Sequence, residues 1–284
     1  MMLGNKTGGL TMVVVQRILS FLDYEMKTPR LFGWFHIVSL ILVAVVTFFL
    51  CYRHKQDNEN RVRSVVLTTA LLVIALEIYK QINYSFSYTN GITFDYQWYA
   101  FPFQFCSTPM YIGLLAGLLP QCKLRDALYC YLATFAVFAG AAVMVYPGDV
   151  FVKTVGINIQ TMICHGSMIC IGVYLFYTGA VKLEHKTLLK AVAVFSCTLS
   201  IAVIMNEVAH ATGLLERETF NMFFVSRYCE PSLPVYSVVQ GIIPYPWSLL
   251  IYILGFSAAA YVMLLLAMMI SRIASRNKLK LSQA

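Results

Sequence analysis

The run LFGWFHIVSLILVAVVTFFLCY at residues 31–52 decides the fold class, because its 22 residues include no Asp, Glu, Lys or Arg. A helix of about 20 mostly apolar residues crosses the hydrocarbon core of a bilayer. Outward along the chain, five more runs reach that length, and a seventh, shorter run contains Pro102 and Pro109, which membrane helices tolerate. The sequence therefore predicts an all-α, polytopic transmembrane bundle of seven helices. The predicted spans are 31–52, 63–84, 101–119, 126–146, 157–179, 188–212 and 247–271.

The composition supports the same class. Hydrophobic residues make up 59% of the chain and charged residues 12%, about half the charged fraction of a soluble domain. Most of the eight cysteines lie inside apolar runs, so no disulfide framework is expected. The net charge of +8 comes from basic residues scattered between the apolar runs, a pattern typical of membrane topology rather than of a nucleic-acid partner.

We expect one membrane domain over residues 31–272. An N-terminal segment, 1–30, precedes it, and a basic cytoplasmic tail, 273–284, follows it. Residues 11–26 place most of their apolar side chains on one helical face and most of their polar ones on the other. This pattern predicts a short amphipathic helix that lies at the membrane interface.

Lys and Arg are divided unequally between the two sides of the predicted bundle. The first, third and fifth connections and the tail contain thirteen, and the opposite side contains seven. Because cytoplasmic segments carry the excess of Lys and Arg, the N-terminus is predicted outside and the C-terminus in the cytoplasm. The long outer loops, 85–100 and 213–246, are rich in aromatic residues and are expected to form a cap at the outer headgroups.

Polar side chains, which are expensive to bury in hydrocarbon, fall at one predicted depth. They come early in spans that start outside and late in spans that return, so they share the outer half of the membrane. Helical spacing puts Glu77, Lys80 and Gln81 on one face. The sequence thus predicts a polar pocket open towards the outer leaflet. Its members are His36, Glu77, Lys80, Gln81, Gln104, Cys106, Gln160, His165, Asn206, Glu207 and His210.

Each of these residues also has a structural interpretation. Glu77 and Lys80 could simply neutralise each other, and His36 could be an interhelical hydrogen-bonding residue. Cys106 could be a small apolar filler, because free cysteine is among the most buried residue types. Cys164 is interpreted as packing.

Cys106 and His165 are the candidate catalytic pair. Cys106 lies in the first turns of its predicted helix, where the backbone amides and the helix dipole favour a thiolate. His165 begins at a similar depth and could take the thiol proton, with Gln160, Asn206 or Glu207 orienting the imidazole. Such a pair, located among lipid esters, predicts acyl transfer through a thioester, to a second lipid or to water, without a cofactor.

A zinc site is the alternative within enzyme chemistry. Three histidines of the polar layer and Glu207 are suitable ligands. They come singly from different helices, however, and only Glu207 and His210 stand close in sequence. No metal is therefore expected.

Several motifs resemble a known family over nearly the whole chain. They are TPRLFGWFHIVSLIL at 28–42, ALEIYKQINY at 75–84, FPFQFCSTPMYI at 101–112, MICHGSMI at 162–169 and IMNEVAHATG at 204–213. In order and spacing they are similar to the spans of the YwaF-like bacterial membrane proteins, a family that includes the transmembrane protein 164 group of animals. The resemblance implies a seven-helix fold in a cell membrane, here a bacterial plasma membrane. It also implies phospholipid acyl transfer with Cys106 as nucleophile and His165 as its partner, on phospholipid or lysophospholipid substrates.

Two other classes of function compete with the enzyme. A transporter would use the polar layer as its substrate site, although it usually needs access from both sides and internal repeats. A seven-helix sensor would bind a small outer ligand and signal through the short, basic inner connections. The sequence does not predict the oligomeric state.

Overall fold

The computed structural model describes residues 6–53, 58–88, 91–214 and 219–283. Lys55 and Arg217, which enter the charge comparison, lie outside the described residues. Helices dominate, and the described strands form one short antiparallel hairpin. The helices are α1 (Lys6–Leu22), α2 (Trp34–Arg53), α3 (Glu59–Ser85), α4 (Thr108–Leu118), α5 (Lys123–Tyr131), α6 (Val137–Val145), α7 (Val155–Tyr177), α8 (His185–Ala211), α9 (Pro234–Ile242) and α10 (Trp247–Gln283). The strands are β1 (Phe86–Ser87) and β2 (Thr93–Phe94).

Six apolar segments of the described chain are long enough to cross a membrane. They coincide with six of the seven predicted runs, so the protein is an all-helical, multi-pass membrane protein. The fourth run is one continuous crossing, in which a π-helical turn, Leu132–Ala136, joins α5 to α6. The six segments are Trp34–Arg53, Glu59–Ser85, Lys123–Val145, Val155–Tyr177, His185–Ala211 and Trp247–Arg276.

The predicted span 101–119 differs from the other six. Residues 101–107 are not helical, and α4 has only 11 residues. Two prolines explain the difference, because proline lacks the amide proton that continues a helix. Pro109 is compatible with α4 since it occupies the first turn, where the amides have no intrahelical acceptor. By length alone this helix does not span a membrane.

The segment 101–119 nevertheless runs along the whole height of α3. At one end, Gln81 Nε2 donates to the Ala100 carbonyl at 2.8 Å. At the other end, Arg125 bonds both the Leu119 carbonyl, at 3.3 Å, and Glu59 Oε1, at 2.5 Å. Glu59 and Gln81 are 22 residues apart on α3, which corresponds to about 33 Å.

Glycine lets α4 approach α3 closely. A Cβ atom built on Gly117 would lie 2.9 Å from Leu67 Cα, and one on Gly113 would lie 3.2 Å from Ala70 Cβ. The later α4 residue contacts the earlier α3 residue, so the two helices are antiparallel. Small residues at such contacts are the usual means of close packing between membrane helices.

The two ends of the chain also depart from the predicted boundaries. The helix predicted at 11–26 is observed as α1 over Lys6–Leu22, and an isolated bridge then joins Glu25 to Thr154. The predicted tail, 273–284, is helical through Gln283 as a continuation of α10. It contains no Gly or Pro and is rich in residues of good helix propensity, so nothing in it ends the helix.

The core lies between the later helices. The inward faces of α7 and of the α5–α6 crossing are largely buried, whereas α2 is mostly exposed along its apolar length, as expected for a helix surrounded by lipid. Aromatic rings in stacked, tilted and edge-on contacts fill the space between α5, α8 and α10. They are Phe105, Tyr131, Phe135, Phe195, Phe223, Tyr252 and Phe256.

We call the end of the bundle where α2 and α7 begin, and where α3 and α8 end, the polar end. Contacts between distant segments define it. Tyr79 Oη near the end of α3 donates to the Leu22 carbonyl at 2.6 Å, and Asn206 near the end of α8 bonds the Met222 backbone. All the residues of the predicted pocket lie towards this end of their helices or in the segments next to it.

Candidate functional site

Glu77 is the centre of a buried polar cluster between α3 and α7. Glu77 is only 6% exposed to solvent. Its Oε1 accepts hydrogen bonds from Lys80 Nζ and Gln81 Nε2, each at 2.8 Å. Its Oε2 lies 3.4 Å from Gln160 Nε2 on α7. The structure thus brings together four of the predicted residues, and we call Glu77, Lys80, Gln81 and Gln160 the Glu77 cluster. Because the ammonium and the carboxylate are paired, neither charge is buried alone.

Cys164 adjoins the Glu77 cluster. Gln160 Nε2 donates to Cys164 Sγ at 3.3 Å, and Cys164 is buried. The sequence pattern indicated only packing for this cysteine. Its i, i+4 spacing from Gln160 was the available signal, because side chains four residues apart on a helix are neighbours.

Cys106 lies in a turn immediately before α4 and is partly buried. The amides of Ser107 and Thr108 both donate to the Gln104 carbonyl, at 2.8 and 3.1 Å, and close this turn. The nucleophile candidate is therefore outside the regular helix, two residues before its first residue. This differs from the prediction of a cysteine inside the first helical turns, and the interrupting prolines of 101–109 are the reason.

A buried hydroxyl pair anchors the Cys106 turn. Thr108 Oγ1 donates to the Phe105 carbonyl at 2.9 Å and bonds Tyr131 Oη at 2.7 Å. Thr108 and Tyr131 are both essentially inaccessible to solvent. Since Tyr131 ends α5, this pair holds the turn against the fourth crossing. Nothing in the sequence pattern pointed to Tyr131, because its partner is 23 residues away on another element.

His165 is buried on α7 with one free ring nitrogen. Its Nδ1 lies 2.7 Å from the Thr161 carbonyl. A carbonyl only accepts, so Nδ1 carries the proton and Nε2 presents a lone pair. Among the described residues, Nε2 is buried and has no hydrogen-bond partner. His165 is thus in the tautomer of a general base, and the basic atom is unoccupied.

Thr161, rather than any of the predicted residues, orients the His165 ring. Gln160 is engaged with Glu77 and Cys164, while Asn206 and Glu207 bond other segments. The prediction that one of these three side chains orients the imidazole is therefore wrong. The backbone of the same helix does so, because a histidine Nδ1 reaches the carbonyl four residues earlier.

Cys106 and His165 are both within the electrostatic influence of one partly buried cation, Lys80. Lys80 interacts electrostatically with both the thiol and the imidazole. The two side chains are not hydrogen-bonded to each other, since Nε2 has no partner. A cation beside a thiol favours the thiolate, and Glu77, which also acts on Cys106, opposes it.

His36 is a structural residue at the start of α2. It is fully buried, its Nδ1 accepts from the Phe32 amide at 3.0 Å, and its Nε2 lies 2.8 Å from the Met144 carbonyl. Both ring nitrogens are therefore occupied, and the ring stacks on Phe32, whose backbone has a positive φ of 54°. Its predicted place in the pocket is wrong, because its hydrogen bonds tie α2 to the end of α6.

Gln104 and Asn206 clamp an outer turn instead of lining a pocket. Asn206 bonds both the amide and the carbonyl of Met222, at 2.8 and 3.0 Å. Gln104 accepts from the Phe223 amide and donates to the Asn221 carbonyl, each at 2.9 Å. These bonds hold Phe223 at a φ of 58°, a region that non-glycine residues rarely adopt. Their amides are needed because this buried turn has no strand or helix partner.

Glu207 and His210 lie on the exposed rim of α8. Glu207 Oε2 accepts from Arg227 Nη2 at 2.9 Å and from Tyr228 Oη at 2.7 Å, and His210 stacks on the Tyr228 ring at 3.6 Å. The hydrogen bond to Glu207 raises the pKa of the Tyr228 phenol. The structure does not bring them to the Glu77 cluster. Glu207 lies about 100° around α8 from Asn206, and His210, which shares the Asn206 face, is exposed in the last turn of the helix.

The residues of the zinc alternative do not converge. His36, His165 and His210 are held by separate partners, and Glu207 pairs with Arg227. In the described ranges, no three His, Cys, Asp or Glu side chains form a group that could hold a metal ion.

The chain matches the model of the TMEM164 family over residues 31–269. No curated protein and no solved structure matches the chain significantly. The matched range runs from the start of the first apolar run into the last one, so it includes both Cys106 and His165. Since this range covers more than four fifths of the 284 residues, the chain belongs to the TMEM164 family.

Proposed function

We propose that the protein is a cysteine-dependent acyltransferase or acyl hydrolase that acts on membrane phospholipids. The observation that carries this proposal is the free, buried Nε2 of His165, a base without a structural partner. A buried acceptor left unpaired costs about 1–3 kcal/mol and therefore calls for a reason, of which a catalytic role is one. Cys106, held in a turn outside the helix, is the nucleophile.

The reaction divides into two steps. His165 Nε2 takes the thiol proton, and the Cys106 sulfur attacks the ester carbonyl carbon of a lipid. The carbon–sulfur bond forms, the carbon–oxygen bond breaks, and the leaving alkoxide takes the proton from the imidazolium. A second lipid hydroxyl, or water, then attacks the thioester, gives its proton to His165 and releases Cys106 as the thiolate.

The sulfur and Nε2 come into contact when substrate binds. Catalytic hydrogen bonds are often loose in a free enzyme and tighten in the substrate complex. The Lys80 ammonium, which interacts with both groups, favours the thiolate in the first step and the oxyanion that follows. Glu77 holds that ammonium in place at 2.8 Å.

We infer further that the bundle has seven crossings, with the polar end outside and the C-terminus in the cytoplasm. The segment 101–119 is the seventh crossing, supported by its contacts with both ends of α3. Its non-helical half, 101–107, is partly buried and is hydrogen-bonded to the Phe223 backbone, and irregular backbone is tolerated at membrane depth where it packs against protein. The charge distribution supports the orientation, which puts the reaction at the outer leaflet of the cell membrane.

A transporter is the second candidate, favoured by that same interrupted crossing. Transporters build substrate sites from discontinuous helices near the bilayer midplane. The Glu77 cluster would then be an ion or substrate site. The pairing of Glu77 with Lys80, Gln81 and Gln160 counts against it, because the carboxylate oxygens are already occupied.

The test is an acyl adduct on the full-length protein. The chain is purified in lipid nanodiscs and incubated with phospholipid that carries an isotope-labelled acyl chain, and its intact mass is measured. We expect a labelled, hydroxylamine-sensitive adduct that is lost in Cys106→Ala and kept in Cys197→Ala, whose cysteine is exposed on α8. Absence of any adduct, with lipid turnover unchanged in Cys106→Ala, would refute the nucleophile assignment.

The orientation has its own test. A single cysteine introduced as Ser282→Cys, in a background without Cys229, is treated with a thiol reagent that does not cross membranes. We expect labelling only after the cells are opened. Labelling of intact cells would show that the C-terminus lies outside, opposite to the inferred orientation.

A further inference from the structure

A long apolar groove runs down the outside of the bundle between α2, α3 and α7. It encloses about 870 Å³ and is open to the surroundings of the helices. Its walls are aliphatic side chains, and Gly166 lies in its floor. Among its aliphatic wall residues are Leu42 on α2 and Ile159 and Ile163 on α7.

The hydroxyl groups that line this groove already donate hydrogen bonds to protein carbonyls, so they do not need a polar ligand. Ser39 donates to the Phe35 carbonyl at 2.8 Å, and Ser167 donates to the Cys164 carbonyl at 2.8 Å. Thr69 donates to the Val65 carbonyl at 2.9 Å. Each hydroxyl proton is used within its own helix, so the groove offers a hydrocarbon surface. A ligand that fits it is itself a hydrocarbon.

The groove is long enough to hold one acyl chain. Its residues extend from Trp34 to Leu50 on α2 and from Val155 to Ile171 on α7, and each stretch is about 24 Å long. The hydrocarbon core of a bilayer is about 30 Å thick, so the acyl chains of one leaflet span about 15 Å. A chain lying along the helices therefore fits within the length of the groove.

The groove leads towards the reactive residues. Its wall residues Thr69, Ser167 and Ile171 also line a small cavity of about 30 Å³ between α3, α4 and α7. That cavity reaches Cys164, whose sulfur bonds Gln160 of the Glu77 cluster. A ligand in the groove thus contacts residues that also line the small cavity next to the Glu77 cluster.

We propose that this groove binds one fatty acyl chain of a membrane lipid, which enters sideways from the bilayer between α2 and α3. The inference rests on the proposed acyl chemistry and names where the substrate chain is held. Lipid tails are as apolar as the groove, so the hydrophobic effect does not favour one over the other. An acyl chain occupies the groove because its shape fits and because the local concentration of lipid is high. A bulky side chain placed in the groove prevents the acyl chain from binding.

The test uses two matched tryptophan variants of the full-length protein. Leu42 and Ile41 are neighbours on α2 and are each 56% exposed, but of the two only Leu42 lines the groove. Each variant is placed in phosphatidylcholine nanodiscs that contain a phospholipid with a photoreactive acyl chain, illuminated and digested. We expect adducts on the α7 peptide with Ile159 and Ile163 in wild type and in Ile41→Trp, and their loss in Leu42→Trp.

A Cys106→Ser variant separates this inference from the proposed chemistry. It should keep the α7 adducts, because holding the chain needs no nucleophile. Equal adduct yields in Leu42→Trp and Ile41→Trp would overturn the groove as an acyl-chain site. If the adducts are lost only in Leu42→Trp but no variant transfers an acyl group to Cys106, the groove binds an acyl chain and the proposed reaction is wrong.

Discussion

His165→Leu is expected to leave the protein as stable as wild type or more stable, and to abolish the acyl adduct. The variant removes the unpartnered Nε2, which costs about 1–3 kcal/mol when buried. It also removes the bond from Nδ1 to Thr161, worth about 1 kcal/mol. The free energy of unfolding should therefore be unchanged or rise by about 2 kcal/mol.

Asn206→Leu is the matched control. Asn206 and His165 are both buried, at 2% and 7% exposure, but both polar atoms of Asn206 bond the inaccessible Met222 backbone. Leucine keeps the branched shape of asparagine and leaves the Met222 amide and carbonyl unpaired. We expect a loss of about 2–5 kcal/mol, since each unpaired buried group costs about 1–3 kcal/mol.

Thermal unfolding in nanodiscs measures both effects. At about 2 °C per kcal/mol, Tm should fall by about 4–10 °C in Asn206→Leu and should stay level or rise in His165→Leu. Acyl-adduct formation is measured on the same samples. If His165→Leu destabilises as strongly as Asn206→Leu, then His165 has a structural partner and is not a free base.

Three further outcomes test other parts of the structure. Glu59→Ala should cost about 3–5 kcal/mol of stability, because it leaves the Arg125 guanidinium, whose side chain is 2% exposed, buried without its carboxylate, whereas Arg125→Met leaves only the half-exposed Glu59 carboxylate and should cost less; a larger loss of Tm in Arg125→Met would contradict the assignment of Arg125 as the buried charge of the pair. Gly140→Ala should lower Tm, because the new Cβ would lie 2.5 Å from the His165 carbonyl oxygen, while Gly255→Ala meets nothing within 4 Å and should be neutral or stabilising by up to about 1 kcal/mol. Glu207→Gln should leave acyl-adduct formation intact and change stability by less than about 1 kcal/mol, since the ion pair of Glu207 with Arg227 is exposed. Loss of the adduct in this variant would show that Glu207 takes part in the reaction.

The predicted polar residues divide into groups with different partners. Glu77, Lys80, Gln81 and Gln160 bond one another between α3 and α7. Gln104 and Asn206 instead bond the backbone of the outer turn that carries Phe223 into the aromatic core. Polar side chains near one end of a bundle therefore belong to more than one hydrogen-bond network.

The sequence by itself determined the class of protein and the local neighbours of each polar residue on its helix. Apolar length is a local property, because about 20 residues cross a bilayer whatever their neighbours are. The shared face of Glu77, Lys80 and Gln81 was equally predictable, since i, i+3 and i+4 spacing fixes neighbours on one helix.

Only the tertiary structure decided which neighbour each face meets. Asn206 and Glu207 are adjacent in sequence, yet one is buried against the Met222 backbone and the other pairs with Arg227 at the surface. Spacing gives the angle between side chains on a helix but not the rotation of that helix in the bundle. The bond between Thr108 and Tyr131 and the one between His36 and Met144 depend on that packing, because a long-range contact has no signature within one segment.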